Sequence, residues 1–276
     1  MNLKNKIGLK EILAMAGSLI CFSIFSIILY SSNLSVESLV NIQNYFLSGM
    51  ITQTSGMTTL DATISLMAPF ISALLAFVFL VAGFAFLSSY GFIKSYSKIG
   101  LISIVIAALI LILFNFSIPS IFLSVAIVTS SVYIIPLANT YGKELRRWVF
   151  FRTGSHSISK TLLVTNILIT IAVFSTVSIS LDYYEQSFKE DLSNTMTSML
   201  ASSFSEEVPP ALSEEMNQSI AALFEDSPII TAYIRWLPVL TAFILFFVLE
   251  FFRSLIFSNV GGFFTDILIR VNKRIK

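Results

Sequence analysis

The stretch Trp236–Phe257, WLPVLTAFILFFVLEFFRSLIF, decides what kind of fold is open to this chain. At a rise of ~1.5 Å per residue, a helix over it covers roughly 30 Å, the thickness of a bilayer's hydrocarbon core. Five more long apolar runs precede it. A β-barrel would show short alternating segments, whereas these runs are continuous. Composition agrees: 12% of residues are charged, about half the share in soluble domains, which is ~25%. The sequence therefore reads as an all-α, polytopic membrane helix bundle.

Taken in order, Lys4, Lys6 and Lys10 precede a first apolar run, Ile12–Tyr30. It is longer than the roughly 7–15 residues of a signal-peptide core, and no small-residue cleavage site follows, so a first membrane helix is expected. Residues 31–65 are polar, with Val36, Leu39, Val40 and Tyr45-Phe46 spaced as in a short surface helix. Further spans are expected at Leu66–Leu87, Ile99–Ile118, Ile121–Ala138 and Leu162–Leu181. Pro119 breaks the third span and opens the fourth, which makes those two an antiparallel hairpin. Residues 139–161 read as a basic loop.

Charge then orients the six spans. The N-terminus, residues 88–98, residues 139–161 and the tail hold every Lys and Arg except Lys189, Arg235 and Arg253. The other side holds Glu37, Asp61 and the ten acids of residues 182–235. Basic loops stay in the cytoplasm, so both termini are expected there, in a cell membrane. The organisation is thus helices 1–5 with their loops (1–181), an extracytoplasmic acidic segment (182–235), a sixth helix (236–257) and a cytoplasmic basic tail (258–276).

Within the acidic segment, Tyr184, Phe188, Leu192, Met196, Leu200 and Phe204 recur every four residues. A second set, Leu212, Met216, Ile220 and Phe224, follows Pro209-Pro210. Two amphipathic helices joined near Val208–Pro210 are expected. The acid pairs here lack the loop spacing of a calcium site and read as a solvated face. In the tail, Phe263, Phe264, Ile267, Leu268, Val271 and Ile275 oppose a basic side. A helix lying in the inner interface is expected, with Arg270, Lys273, Arg274 and Lys276 against anionic lipid; docking to a cytoplasmic partner is the rival.

Candidate chemistry is sparse. Glu250 and Arg253 stand three apart in the sixth span and are expected to form an intramembrane ion pair. The alternative is a carboxylate that responds to protons or cations. Gly154–Thr161 differs from a phosphate-cradling loop at Ser159 and has no preceding strand. His156 is the sole histidine and Cys21 the sole cysteine, so metal and triad chemistry lack partners. Ile20 is too bulky for a lipoprotein cleavage site at Cys21. Span four carries Ser124, Thr129, Ser130, Ser131 and Tyr133; span five carries Thr165, Asn166, Thr170, Ser175, Thr176, Ser178 and Ser180. Such residues serve helix packing or line a polar path. Sequons at Asn33, Asn115 and Asn217 all fall on the expected outer side. The expectation is a non-enzymatic scaffold or accessory subunit of a membrane complex, with lipid and protein partners, no cofactor and no nucleic acid. The alternative is a permease or channel subunit lined by helices 4–6.

Overall fold

The computed structural model describes residues 9–32, 35–41, 43, 60–94, 97–190, 193 and 227–274. Among these the chain is helical, with no strand. The elements are α1 (Leu9–Ser31), α2 (Leu60–Ile93), a 3-10 turn (Ser97–Ile102) leading into α3 (Ser103–Leu113), α4 (Ile118–Glu144) and α5 (Val149–Ile179). After residues 194–226 come α6 (Pro228–Phe252), a π-helical turn (Arg253–Phe257) and α7 (Ser258–Arg274). Residues 36–41 and 181–190 are helical too. Among the described residues, five helices are long and apolar enough to cross a membrane: Lys10–Ser31, Ile71–Ile93, Ile118–Glu144, Val149–Ile179 and Pro228–Arg274. The chain is a multi-pass membrane protein.

Three elements differ from the sequence expectation. The third span is shorter as an α-helix, because its first turns are 3-10. There Gly100 lies against the Ser131 carbonyl and the Val132 backbone of α4, an approach that a side chain would block. The basic loop shrinks to residues 145–148. Arg152, His156 and Lys160 fall four apart on one exposed face of α5, so their charge decorates a helix instead of interrupting it. The tail helix continues from α6 through the π turn, and its buried side is Gly261, Gly262, Thr265, Ile269 and Asn272. Phe263, Ile267 and Val271 of the apolar stripe are exposed.

The fourth span starts where Pro119 places it, near the N-terminus of α4. The turn before it closes α3 by its own backbone: the Phe116 amide donates to the Leu111 carbonyl at 2.9 Å and the Asn115 amide to Ile112 at 3.4 Å. Asn115, at φ 49°, takes the left-handed position such a cap requires. The expected helical pair about Val208–Pro210, and the sequons at Asn33 and Asn217, lie outside the described residues.

The chain packs as two units. One comprises residues 1–33, 69–172 and 245–276. Lipid offers apolar side chains no reason to leave it, so helix association there depends on close fit and hydrogen bonds. This unit shows both. Phe22 packs edge-on to Phe84 over Gly83, Phe25 meets Phe77, and Phe77 stacks on Phe257. Gly91 of α2 rests on the Ile135 backbone of α4, and Asn139 Nδ2 donates to the Gly91 carbonyl at 3.2 Å. Along α3 and α4, Gly100 faces Ser131 while Ser124 Oγ donates to the Ala107 carbonyl at 3.1 Å, so the two run antiparallel. Lys94 pairs with Glu11 at 2.7 Å, joining the end of α2 to the start of α1.

The other unit comprises residues 34–68 and 173–244. Tyr184 and Phe188, the first two members of the acidic segment's apolar repeat, are buried in it. Tyr183 donates to Glu37 Oε1 at 2.7 Å. That bond, with the carboxylate's charge, holds the Tyr183 hydroxyl above its ordinary pKa. Thr241 Oγ1 donates to Gln43 Oε1 at 3.1 Å.

A methyl group on Gly91 would sit 2.5 Å from the Ile135 carbonyl oxygen and 2.9 Å from its Cα. Backbone cannot swing aside, so Gly91→Ala is expected to destabilise by about 1–3 kcal/mol, read as a lower thermal midpoint in detergent. Gly142→Ala meets only the rotatable Phe92 ring and should cost less. Equal midpoints for the two variants would contradict this packing.

Candidate functional site: a polar seam on helix α5

Helix α5 carries hydroxyls at Thr153, Ser157, Thr161 and Thr165, and all four side chains are fully buried. Four residues turn a helix ~400°, so such a row winds by ~40° per step. The winding takes it from one neighbour to the next. Ser157 Oγ meets Ser88 Oγ of α2 at 2.8 Å, and two turns on Thr165 Oγ1 meets Ser130 Oγ of α4 at 2.9 Å. Between them Thr161 Oγ1 donates back to the Ser157 carbonyl at 2.8 Å. Each cross-helix bond replaces solvation that hydrocarbon cannot supply.

Beside this row, Asn166 turns toward the end of α6. Its Nδ2 donates to Glu250 Oε1 at 2.9 Å. Arg253 holds the same carboxylate: Nε donates to Oε1 at 2.9 Å and to Oε2 at 2.8 Å, and a terminal nitrogen donates to Oε2 at 2.6 Å. The other terminal nitrogen donates to the Ser159 carbonyl at 3.3 Å and to the Ser159 hydroxyl. Both side chains of the pair are about one-fifth exposed, at 20% and 19%. The structure thus brings Glu250 and Arg253 together and adds Asn166 and Ser159 from α5.

The π turn starts at Arg253. It carries one more residue per turn than an α-helix and so rotates the faces of everything after it. Ser258 Oγ donates to the Arg253 carbonyl at 2.7 Å, occupying the loosened turn. With that shift, α7 lays its small residues on α5: Gly261 against Ile158, Gly262 against Phe151, and Thr265 against Gly154. Among the described residues, Ser131 Oγ, Thr153 Oγ1, Thr265 Oγ1 and Asn272 Oδ1 are buried without a hydrogen-bond partner. They belong to α4, α5 and α7.

The tail cations are placed as follows. Arg270 pairs with Asp266 at 2.9 Å, Lys273 lies over the Phe150 ring at 4.2 Å, and Arg274 is exposed. Lys276 lies outside the described residues. His156 is on the exposed face of α5, its ring 5.6 Å from that of Tyr141. Gly154–Thr161 is helix throughout, so its amides are committed within α5 and form no phosphate cradle. Thr153, Ser157 and Thr161 are the members that sequence reasoning missed. Reading 139–161 as a loop from its charge hid them, although their four-residue spacing continues straight to Thr165. No family model matches the chain, and no curated protein or solved structure matches it.

Arg253→Leu strands a carboxylate in a low-dielectric setting and is expected to destabilise by about 3–5 kcal/mol. Replacing Glu250 and Arg253 together by Leu should recover most of that loss, because no unpaired charge remains. Unfolding in mixed micelles measures both. A double variant as unstable as the single one would show that the pair is not the source of the effect.

Proposed function

We propose that the chain crosses a cell membrane six times with both termini in the cytoplasm, and works as a non-enzymatic scaffold or accessory subunit of a membrane complex. The sixth crossing is the short third segment. Six residues of 3-10 helix at ~2.0 Å and eleven of α-helix at ~1.5 Å span about 28 Å, close to a hydrocarbon thickness. Its antiparallel run along α4 supports that count, as does the meeting of Gly91 with Ile135 and Asn139, which sets the ends of α2 and α4 at one pole.

The observation that carries the scaffold reading is the closure of Glu250. Its two oxygens accept from Arg253 and Asn166, so the carboxylate is engaged in joining α6 to α5. A carboxylate closed by an ion pair and a further hydrogen bond suits assembly more readily than turnover, because losing a partner would leave a buried charge uncompensated. Partners would meet the acidic segment 182–235 and the inner cations, with anionic lipid at Arg270, Lys273, Arg274 and Lys276. The permease reading keeps one specific support. Ser131 and Thr153 hold unpartnered hydroxyls within α4 and α5, two of the helices that would line a path.

Extraction in mild detergent separates the two. The scaffold reading expects partner chains at fixed stoichiometry and no flux after reconstitution into liposomes. A chain that purifies alone and carries a flux abolished by Glu250→Gln would overturn it in favour of the permease.

A further inference from the structure

We infer that the exposed cationic face of α5 seats one anionic phospholipid, its phosphate between Arg152 and Lys160 and an acyl chain along Leu163, Val164 and Ile167. The inference rests on α5 being one of the proposed membrane crossings. Arg152, His156 and Lys160 follow one another at four-residue steps and are all exposed. Further along the same face, Leu163 and Val164 are half-buried and Ile167 is 42% exposed. The face is therefore ordered lengthwise, cations first and apolar groups after, as a phospholipid is ordered from head to tail.

Position makes the cations informative. Phe150 packs on Phe92 with ring centroids 5.3 Å apart, near the Glu11–Lys94 pair at the polar end of this unit. Lys160 lies ten residues beyond Phe150, ~15 Å further along the helix and just before the apolar run that opens at Leu162. An ammonium at that boundary needs a counter-ion or must reach back toward the interface. Three other cations of this unit have carboxylates: Lys94 with Glu11, Arg253 with Glu250, Arg270 with Asp266. Among the described residues Arg152 and Lys160 have none, and neither do Lys10, Lys143, Arg146, Arg147, Lys273 and Arg274, which stand at or between helix ends. Arg152 and Lys160 stand one turn either side of His156, ~12 Å apart along the axis, so side chains reaching toward one another would bring a headgroup phosphate within range of both. Trp148, one further step of four before Arg152, is 81% exposed and suited to the interface above the headgroup.

The test titrates the full-length chain in detergent with phosphatidylglycerol, and separately with phosphatidylcholine of the same acyl chains, by native mass spectrometry. One phosphatidylglycerol should be retained in preference to phosphatidylcholine. R152Q/K160Q should weaken that binding about thirtyfold, while K143Q/R146Q, the same loss of charge elsewhere, should change it only a few-fold. Equal loss in both double variants means diffuse attraction only, and overturns the site. So does equal retention of phosphatidylcholine, or an acidic partner chain held on this face in place of lipid. A second reading avoids the variants: the retained phosphatidylglycerol should survive collisional activation at energies that strip phosphatidylcholine of the same acyl chains, and equal loss of the two contradicts the inference. Neither measurement depends on which side of the membrane the face occupies. A selective site can therefore survive the failure of the proposed orientation, and the orientation can survive the loss of the site.

Discussion

Inside hydrocarbon, each backbone amide must find its carbonyl within its own helix, which leaves side chains as the only polar link from one helix to another. This chain concentrates those links on α5. Ser157 reaches α2, Thr165 reaches α4, and Asn166 and Ser159 reach the end of α6. The small residues of α7 then close on the same helix at Gly154, Ile158 and Phe151. The hydroxyl row winds because four residues overshoot one turn, and the winding lets one helix address several neighbours in succession.

Charge has a second, separate role. The Glu250–Arg253 pair would be costly to bury unassisted, and the desolvation of two ions can exceed their attraction. Here the cost is offset by Asn166 and Ser159, which supply hydrogen bonds that neither ion could draw from lipid. The π turn beginning at Arg253 belongs to the same arrangement. By adding a residue it lets α6 present Glu250 to Asn166 and still lets α7 turn its glycines toward α5. A straight α-helical continuation would rotate Gly261 and Gly262 away from Ile158 and Phe151.

Much of the fold was legible because hydrocarbon imposes a length and a hydropathy that a single sequence displays directly. The apolar runs at Ile12–Tyr30 and Ile121–Ala138 each lie within a helix of the structure, and Trp236–Phe257 runs through α6 into the π turn. The pair Glu250–Arg253 was legible as well, since helical spacing of three leaves few other partners at that depth. Its Asn166 and Ser159 contacts were not, because nothing local ties residues more than eighty positions apart. The start of α5 is not legible for a physical reason: charge reads as the mark of a loop, yet Arg152, His156 and Lys160 occupy one face while Thr153, Ser157 and Thr161 occupy another. The tail's packing on α5 is not legible either. Glycine and threonine pack against α5 where close approach matters, and the larger apolar residues Phe263, Ile267 and Val271 are left exposed.

The proposed topology turns on the path of the chain between α2 and α5, where one short segment would cross between two turns of opposite placement. Single cysteines at positions 94, 117 and 147, in a Cys21→Ser background, are labelled on intact cells with a membrane-impermeant maleimide. Label on position 117 alone, with 94 and 147 reached only after permeabilisation, is the predicted result. Label on all three from the same side would contradict both the crossing of the third segment and the sorting of charge that orients the molecule.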